Sequence, residues 1–173
     1  MNIENIIGSA ITSIIVSLLV GPRLAWLQED RRLDRRARSR MRTAAQRFGF
    51  AMERERALRA LGRGSLTPNG FIRLFWPLVR AAQDTDLSEK TRKALDGTLI
   101  MLGGTATVRY LATCEGAGDV RNTPHFVALT FTSSPDDPAP IQTRMFSSGR
   151  STVEPINEAL RACETLEHIA GRR

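Results

Sequence analysis

The sequence is poor in the residues on which cross-linked and catalytic proteins usually depend. Its 173 residues include two cysteines, Cys114 and Cys163, and two histidines, His125 and His168. Two cysteines so far apart form neither a disulfide framework nor a zinc-ligand spacing, so both are expected as reduced cytosolic thiols. Neither histidine has a partner at metal-ligand spacing. Cys114, Asp119 and His125 are near neighbours in sequence, but a strand reading of this segment places Cys114 on the apolar side with Val108 and Tyr110, away from any thiol chemistry. Asp136-Asp137 lies among prolines and reads as the start of a turn. Gly103-Gly104-Thr105 follows a helix and enters a predicted strand, the reverse of the order that cradles phosphate. The expectation is a protein without catalytic activity, cofactor or metal.

Lysine is nearly absent. Of 25 basic residues only Lys90 and Lys93 are lysines; the rest are arginines. The net charge of +7 is unevenly placed: residues 23–63 carry 13 Arg against 5 acids, while residues 64–173 balance at 12 against 12. A basic excess confined to the stretch after the expected anchor suggests contact with a membrane surface more than general nucleic-acid binding. No aromatics interleave with the arginines and no nucleic-acid motif accompanies them, which makes nucleic acid an unlikely partner.

Long apolar runs are also missing, with one partial exception. Asn5–Gly21 contains no charge, follows Glu4 and precedes Arg23. The polarity is wrong for a cleaved signal peptide, and the segment is expected to be a single-pass transmembrane anchor in the inner membrane. Its uninterrupted core, Ile6–Val20, spans ~22 Å at helical rise, against a hydrocarbon thickness of ~30 Å; counting outward from Ile3 to Leu24 supplies the missing length, with Trp26 as an interfacial ring. Arginines on its C-terminal side predict an outside N-terminus and a cytoplasmic C-terminal domain. Asn5, Ser9, Ser13, Ser17 and Gly21 recur every four residues, a small-residue stripe expected to pair anchors into a homo-oligomer. Gly21-Pro22 is expected to end or kink this helix.

Residues 23–63 read as a basic helical stalk. Leu33, Ala37, Met41, Ala44, Phe48 and Met52 form one apolar stripe, which can meet either a sister chain or the domain that follows. Asp34 and Glu55 interrupt the seam. Arg31, Arg32, Arg35, Arg36, Arg38, Arg40 and Arg42 are expected to contact anionic lipid of the bilayer.

A breaker-rich linker around Gly62–Gly70 leads into residues 64–173, read as a small cytoplasmic α+β domain. Phe71, Leu74, Phe75, Leu78, Val79 and Ala82 mark one amphipathic helix, and Thr91, Ala94, Leu95, Thr98, Leu99 and Leu102 another, capped by Asp86 or Ser88. Alternation over Thr105–Cys114 and His125–Thr132, with Ile141–Phe146 as a third segment, predicts a three-stranded antiparallel sheet. A final helix opens near Ser151 and Glu154. Domain boundaries are therefore expected at 1–22, 23–63 and 64–173.

The function expected from these features is that of a membrane-anchored, self-associating adaptor or sensor. It would bind a cytoplasmic protein or small ligand through the loops Glu115–Pro124 and Ser133–Pro140. Two alternatives use the same features: a membrane-perturbing effector of pore, toxin or defence type controlled by its cytoplasmic domain, and a membrane-tethered nucleic-acid binder.

Overall fold

Helix starts and stops follow local chemistry wherever a cap is visible. Thr67 accepts a hydrogen bond from the Gly70 amide at 3.1 Å, with Pro68 in the first helical position, so the chain turns helical two residues before the end of the predicted linker. Ser88 caps the next helix by accepting from the Thr91 amide. Gly62 and Gly104 adopt φ of 69° and 82°, where a side chain would strain the backbone, and both sit where one helix ends.

The computed structural model describes residues 3–116, 139–147 and 152–171, with side chains from residue 26 onward. Every regular element among them is an α-helix: α1 (Ile3–Ala60), α2 (Pro68–Ala82), α3 (Glu89–Gly103), α4 (Thr105–Thr113), α5 (Ile141–Ser147) and α6 (Glu154–Gly171). The helix α1 runs through Gly21-Pro22 without ending there. On it, Ala37, Met41, Ala45, Phe48 and Met52 are buried, a seam with steps of 4, 4, 3 and 4. That seam packs against α6 and α2. The apolar stripe of the stalk thus meets the helices that follow it in the same chain.

Phe48 lies 5.4 Å from Phe71 and 6.0 Å from Phe75, ring centre to ring centre, forming an aromatic cluster where α1 meets α2. Two turns earlier on α1, Arg40 reaches Asp84 and Asp86 just beyond α2. The two helices are therefore antiparallel. Leu95, Leu99 and Leu102 of α3, Ile141 and Met145 of α5, and Ile156, Ala159, Ala162 and Leu166 of α6 complete the core.

Two expectations are corrected. The α+β reading fails because Thr105–Thr113 and Ile141–Ser147, two of the three predicted strands, are helical. In α4 the buried residues are Thr107, Val108 and Leu111, and in α5 they are Ile141, Gln142 and Met145. Both sets follow i, i+1, i+4, a helical face set by packing against neighbouring helices, which overrides β-branched propensity in such short segments. His125–Thr132, the remaining predicted strand, lies outside the described residues.

The single-pass membrane reading and the inner-membrane localisation are also overturned. Among the described residues no helix is long and apolar enough to cross a membrane. The expected span rested on the apolar run Ile6–Val20, ~22 Å at helical rise against ~30 Å of hydrocarbon, extended outward to Ile3 and Leu24. The side chains of Asn5, Ser9, Ser13, Ser17 and Gly21, and with them the pairing stripe, lie outside the described residues.

Candidate functional site

The arginines divide by what they touch. Arg59 is enclosed: its Nε donates to Glu55 Oε1 at 3.0 Å, and its Nη1 donates to the carbonyls of Met145 and Thr152 at 3.2 and 3.1 Å. Glu55 Oε2 accepts from the amides of Ser65 and Leu66. One buried ion pair therefore joins the end of α1 to the α1–α2 connection, to α5 and to the approach of α6. Its role is structural.

The seven arginines from Arg31 to Arg42 lie on different sides of α1. Arg31, Arg32, Arg35, Arg36, Arg40 and Arg42 are exposed, while Arg38 is half-buried. Arg38 binds Asp34 at 2.7 Å and donates to Thr91 at 3.1 Å, fixing the start of α3. Arg40 holds Asp84 at 2.6 Å and Asp86 at 3.2 Å. Arg31, Arg35, Arg38 and Arg42 line a hollow of about 740 Å³ that ends at Ala170 and Gly171, the C-terminus of α6. A helix C-terminus carries partial negative charge, so this side of the cluster complements the fold itself.

The other side opens on a groove of about 980 Å³ between α1 and α2. Arg40 and Arg47 of α1 stand along one rim, and Arg73 and Arg80 of α2 along the other; Ala44, Leu74, Trp76, Pro77 and Ala81 also line it. Each arginine pair is seven residues apart, two helical turns, so both members share a face. The placement on α2 follows from its amphipathicity: Phe71, Phe75, Leu78, Val79 and Ala82 face the core, which turns Arg73 and Arg80 outward. No ion pair engages Arg47, Arg73 or Arg80 among the described residues. The indole N–H of Trp76, which also lines this groove, is enclosed and has no acceptor among the described residues. An enclosed donor without a partner is uncommon.

The groove holds no cysteine or histidine, and its carboxylates, Asp84 and Asp86, are both engaged by Arg40. It offers cations above an apolar floor.

A third groove, about 820 Å³ between α1 and α6, carries the exposed ring of Phe50 among Glu53, Arg56, Arg161, Glu164 and Glu167. Its charges are of both signs and select neither.

Nothing in the thiols suggests catalysis. Cys114 and Cys163 are free and buried. Burial, with Glu167 nearby, pushes the Cys163 thiol up to about 12, leaving it protonated and inert at neutral pH. Cys114 closes α4 and contacts the Tyr110 carbonyl at 3.6 Å; Asp119 and His125 lie outside the described residues. So do most of the loops Glu115–Pro124 and Ser133–Pro140. Among the described residues no cluster of three or more His, Cys, Asp or Glu side chains is placed to hold a metal ion.

Of the four arginines along this groove, sequence reasoning singled out Arg40 but not Arg47, Arg73 or Arg80. The available signal was the seven-residue spacing of Arg73 and Arg80 on the polar face of a helix whose apolar face was already evident. No protein-family model matches the chain, and no curated protein or solved structure is significantly similar to it.

Proposed function

We propose that the protein is a non-catalytic adaptor whose α1–α2 groove binds an acidic partner. The observation that carries this reading is the set of Arg47, Arg73 and Arg80, three guanidinium groups that line a common groove and have no carboxylate partner among the described residues. Holding like charges together without internal compensation is unfavourable, and an anionic occupant relieves it. Arginine suits the task because its planar fork binds carboxylates in two-point contacts. The apolar floor adds contact area and makes the groove more than a counter-ion trap.

The test is titration of the intact chain with poly-glutamate at increasing salt. Binding is expected at low ionic strength, weakening as salt rises. Replacing Arg47, Arg73 and Arg80 together by Gln is expected to reduce affinity at least about tenfold. The same charge removed at Arg31, Arg35 and Arg42 is expected to have a much smaller effect. Equal losses from the two triple variants would mean that the protein responds to net charge alone and would remove the groove from the reading.

A further inference from the structure

We infer that the occupant of this groove is an amphipathic α-helix of a partner protein, with acidic residues along both flanks of its apolar face. The inference rests on the adaptor reading above and gives the partner a shape.

Three features of the groove point to a helix. The first is length. On α1 its lining runs from Ser39 to Phe48, about 14 Å of helix axis, which matches two and a half turns of a docked helix. The second is spacing. Arg40 and Arg47 on one rim, and Arg73 and Arg80 on the other, each repeat at two turns, or about 10.5 Å. Acidic side chains seven residues apart on a docked helix repeat at the same distance, so two of them meet Arg73 and Arg80 in register while another faces Arg47; Arg40, already held by Asp84 and Asp86, marks the end where the helix carries a neutral side chain. The third is the floor. Ala44 and Ala81 are small and half-buried, allowing a second backbone to approach closely, and Leu74 offers an apolar contact between them.

A nucleic-acid strand fits the same charges less well. Asp84 and Asp86 close one end of the groove and bind Arg40, so a continuous chain of phosphates would run into two carboxylates there. A helix presents its acids only every three or four residues and can pass that end with a neutral side chain. The floor also lacks a row of exposed aromatic faces on which bases stack. Trp76 is half-buried in it and stands alone.

The test uses the full chain carrying Trp26→Phe, which leaves Trp76 as its single tryptophan and places a fluorescent reporter in the groove. Three probes are compared. One is a peptide of about 16 residues with Leu on one face and Glu flanking it, hydrocarbon-stapled because free peptides of this length are marginal helices. The second is a scrambled, unstapled peptide of the same composition, and the third is a single-stranded oligonucleotide of equal charge. The helical peptide is expected to shift Trp76 emission and to bind at least about tenfold more tightly than the scrambled one. Its affinity is expected to fall about tenfold or more in the Arg47→Gln, Arg73→Gln, Arg80→Gln variant. These three side chains are exposed, and thermal unfolding of the variant checks that its fold is retained.

Equal binding of the helical and scrambled peptides, both lost in the triple variant, overturns the helix while the acidic-partner reading stands. Tighter binding of the oligonucleotide overturns it in favour of a nucleic acid. Binding of no probe removes both readings together.

Discussion

Glu55 and Arg59 sit one turn apart near the end of α1, each with only 4% of its side chain exposed. A charge enclosed to this degree is tolerated because every strong contact is made: Arg59 reaches a carboxylate and two carbonyls, and Glu55 accepts two amides. Arg59→Met removes one partner and leaves Glu55 enclosed, so chemical denaturation is expected to show a loss of about 3–5 kcal/mol. A loss below about 1 kcal/mol would mean that the pair is hydrated and that the junction of α1, α5 and α6 is held by packing alone. A second pair behaves differently because it is wetter. Arg144 grips Glu158 through both nitrogens, at 2.7 and 2.5 Å, and holds its carboxyl below the usual carboxylate range. A carboxyl depressed in the folded state stabilises above its unfolded pKa of about 4.3, and that contribution disappears as pH falls through the folded value. Wild type is therefore expected to exceed Glu158→Gln in stability at pH 7 and to converge with it in acid below about pH 4. With 40% of the Arg144 side chain exposed, solvent screening holds the difference to about 1 kcal/mol or less. A difference that persists unchanged at pH 3 would assign it to packing instead of charge.

Among the elements, α3 contains two glycines with opposite consequences. A Cβ on Gly103 would lie 2.4 Å from Cε1 of Phe75, whose ring is fully buried between α1 and α2. The absence of a side chain is what lets α3 approach α2 there. Gly97 is exposed, with nothing within 4 Å of a built Cβ and an ordinary helical φ. Gly103→Ala is expected to cost about 1–3 kcal/mol through overpacking, and Gly97→Ala to stabilise by about 0.5–1 kcal/mol. Both are read from urea midpoints at a constant slope, and a neutral Gly103→Ala would mean that the α2–α3 contact is looser than described. The same elements show what the sequence conveys. The helical spacing of α2, α3 and the buried seam of α1 is legible because each apolar face continues over three or more turns. Asp34 and Glu55 stood out only as charges that interrupt the seam; that each is answered by an arginine four residues on, Arg38 and Arg59, is seen in the structure. The helices α4 and α5 are not legible, because nine and seven residues span too few turns for periodicity to separate helix from strand. Their identity comes from contacts with α2, α3 and α6, and these depend on residues distant in sequence. Little of the groove was legible: of its four arginines only Arg40 fell in the cluster that stood out, and bringing Arg47 opposite Arg73 and Arg80 required the antiparallel placement of α2.

At the scale of the molecule, stability is distributed unequally along α1, and this determines how its basic charge is presented. From Ala37 to Arg59 the helix is held by the core and by the buried ion pair. From Trp26 to Arg32 every residue is exposed, including Trp26 at 71% and Leu27 at 46%. The one ion pair described within this segment, Glu29–Arg32, is long at 3.9 Å and well exposed on both sides. Such a pair contributes about 0.2–0.5 kcal/mol, and a helical stretch without tertiary packing is marginal in water. The amides of residues 27–32 should therefore open locally, while those of residues 41–52 open only when the core does. Hydrogen exchange on the intact chain at low concentration is expected to show residues 41–52 protected at least about a hundredfold more than residues 27–32. Similar protection in both segments would contradict that distribution, and it would mean that the exposed face around Trp26 and Leu27 is covered by a second copy of the chain. Dilution then separates the two cases: protection that decays with concentration belongs to an assembly, and protection that does not belongs to the single chain.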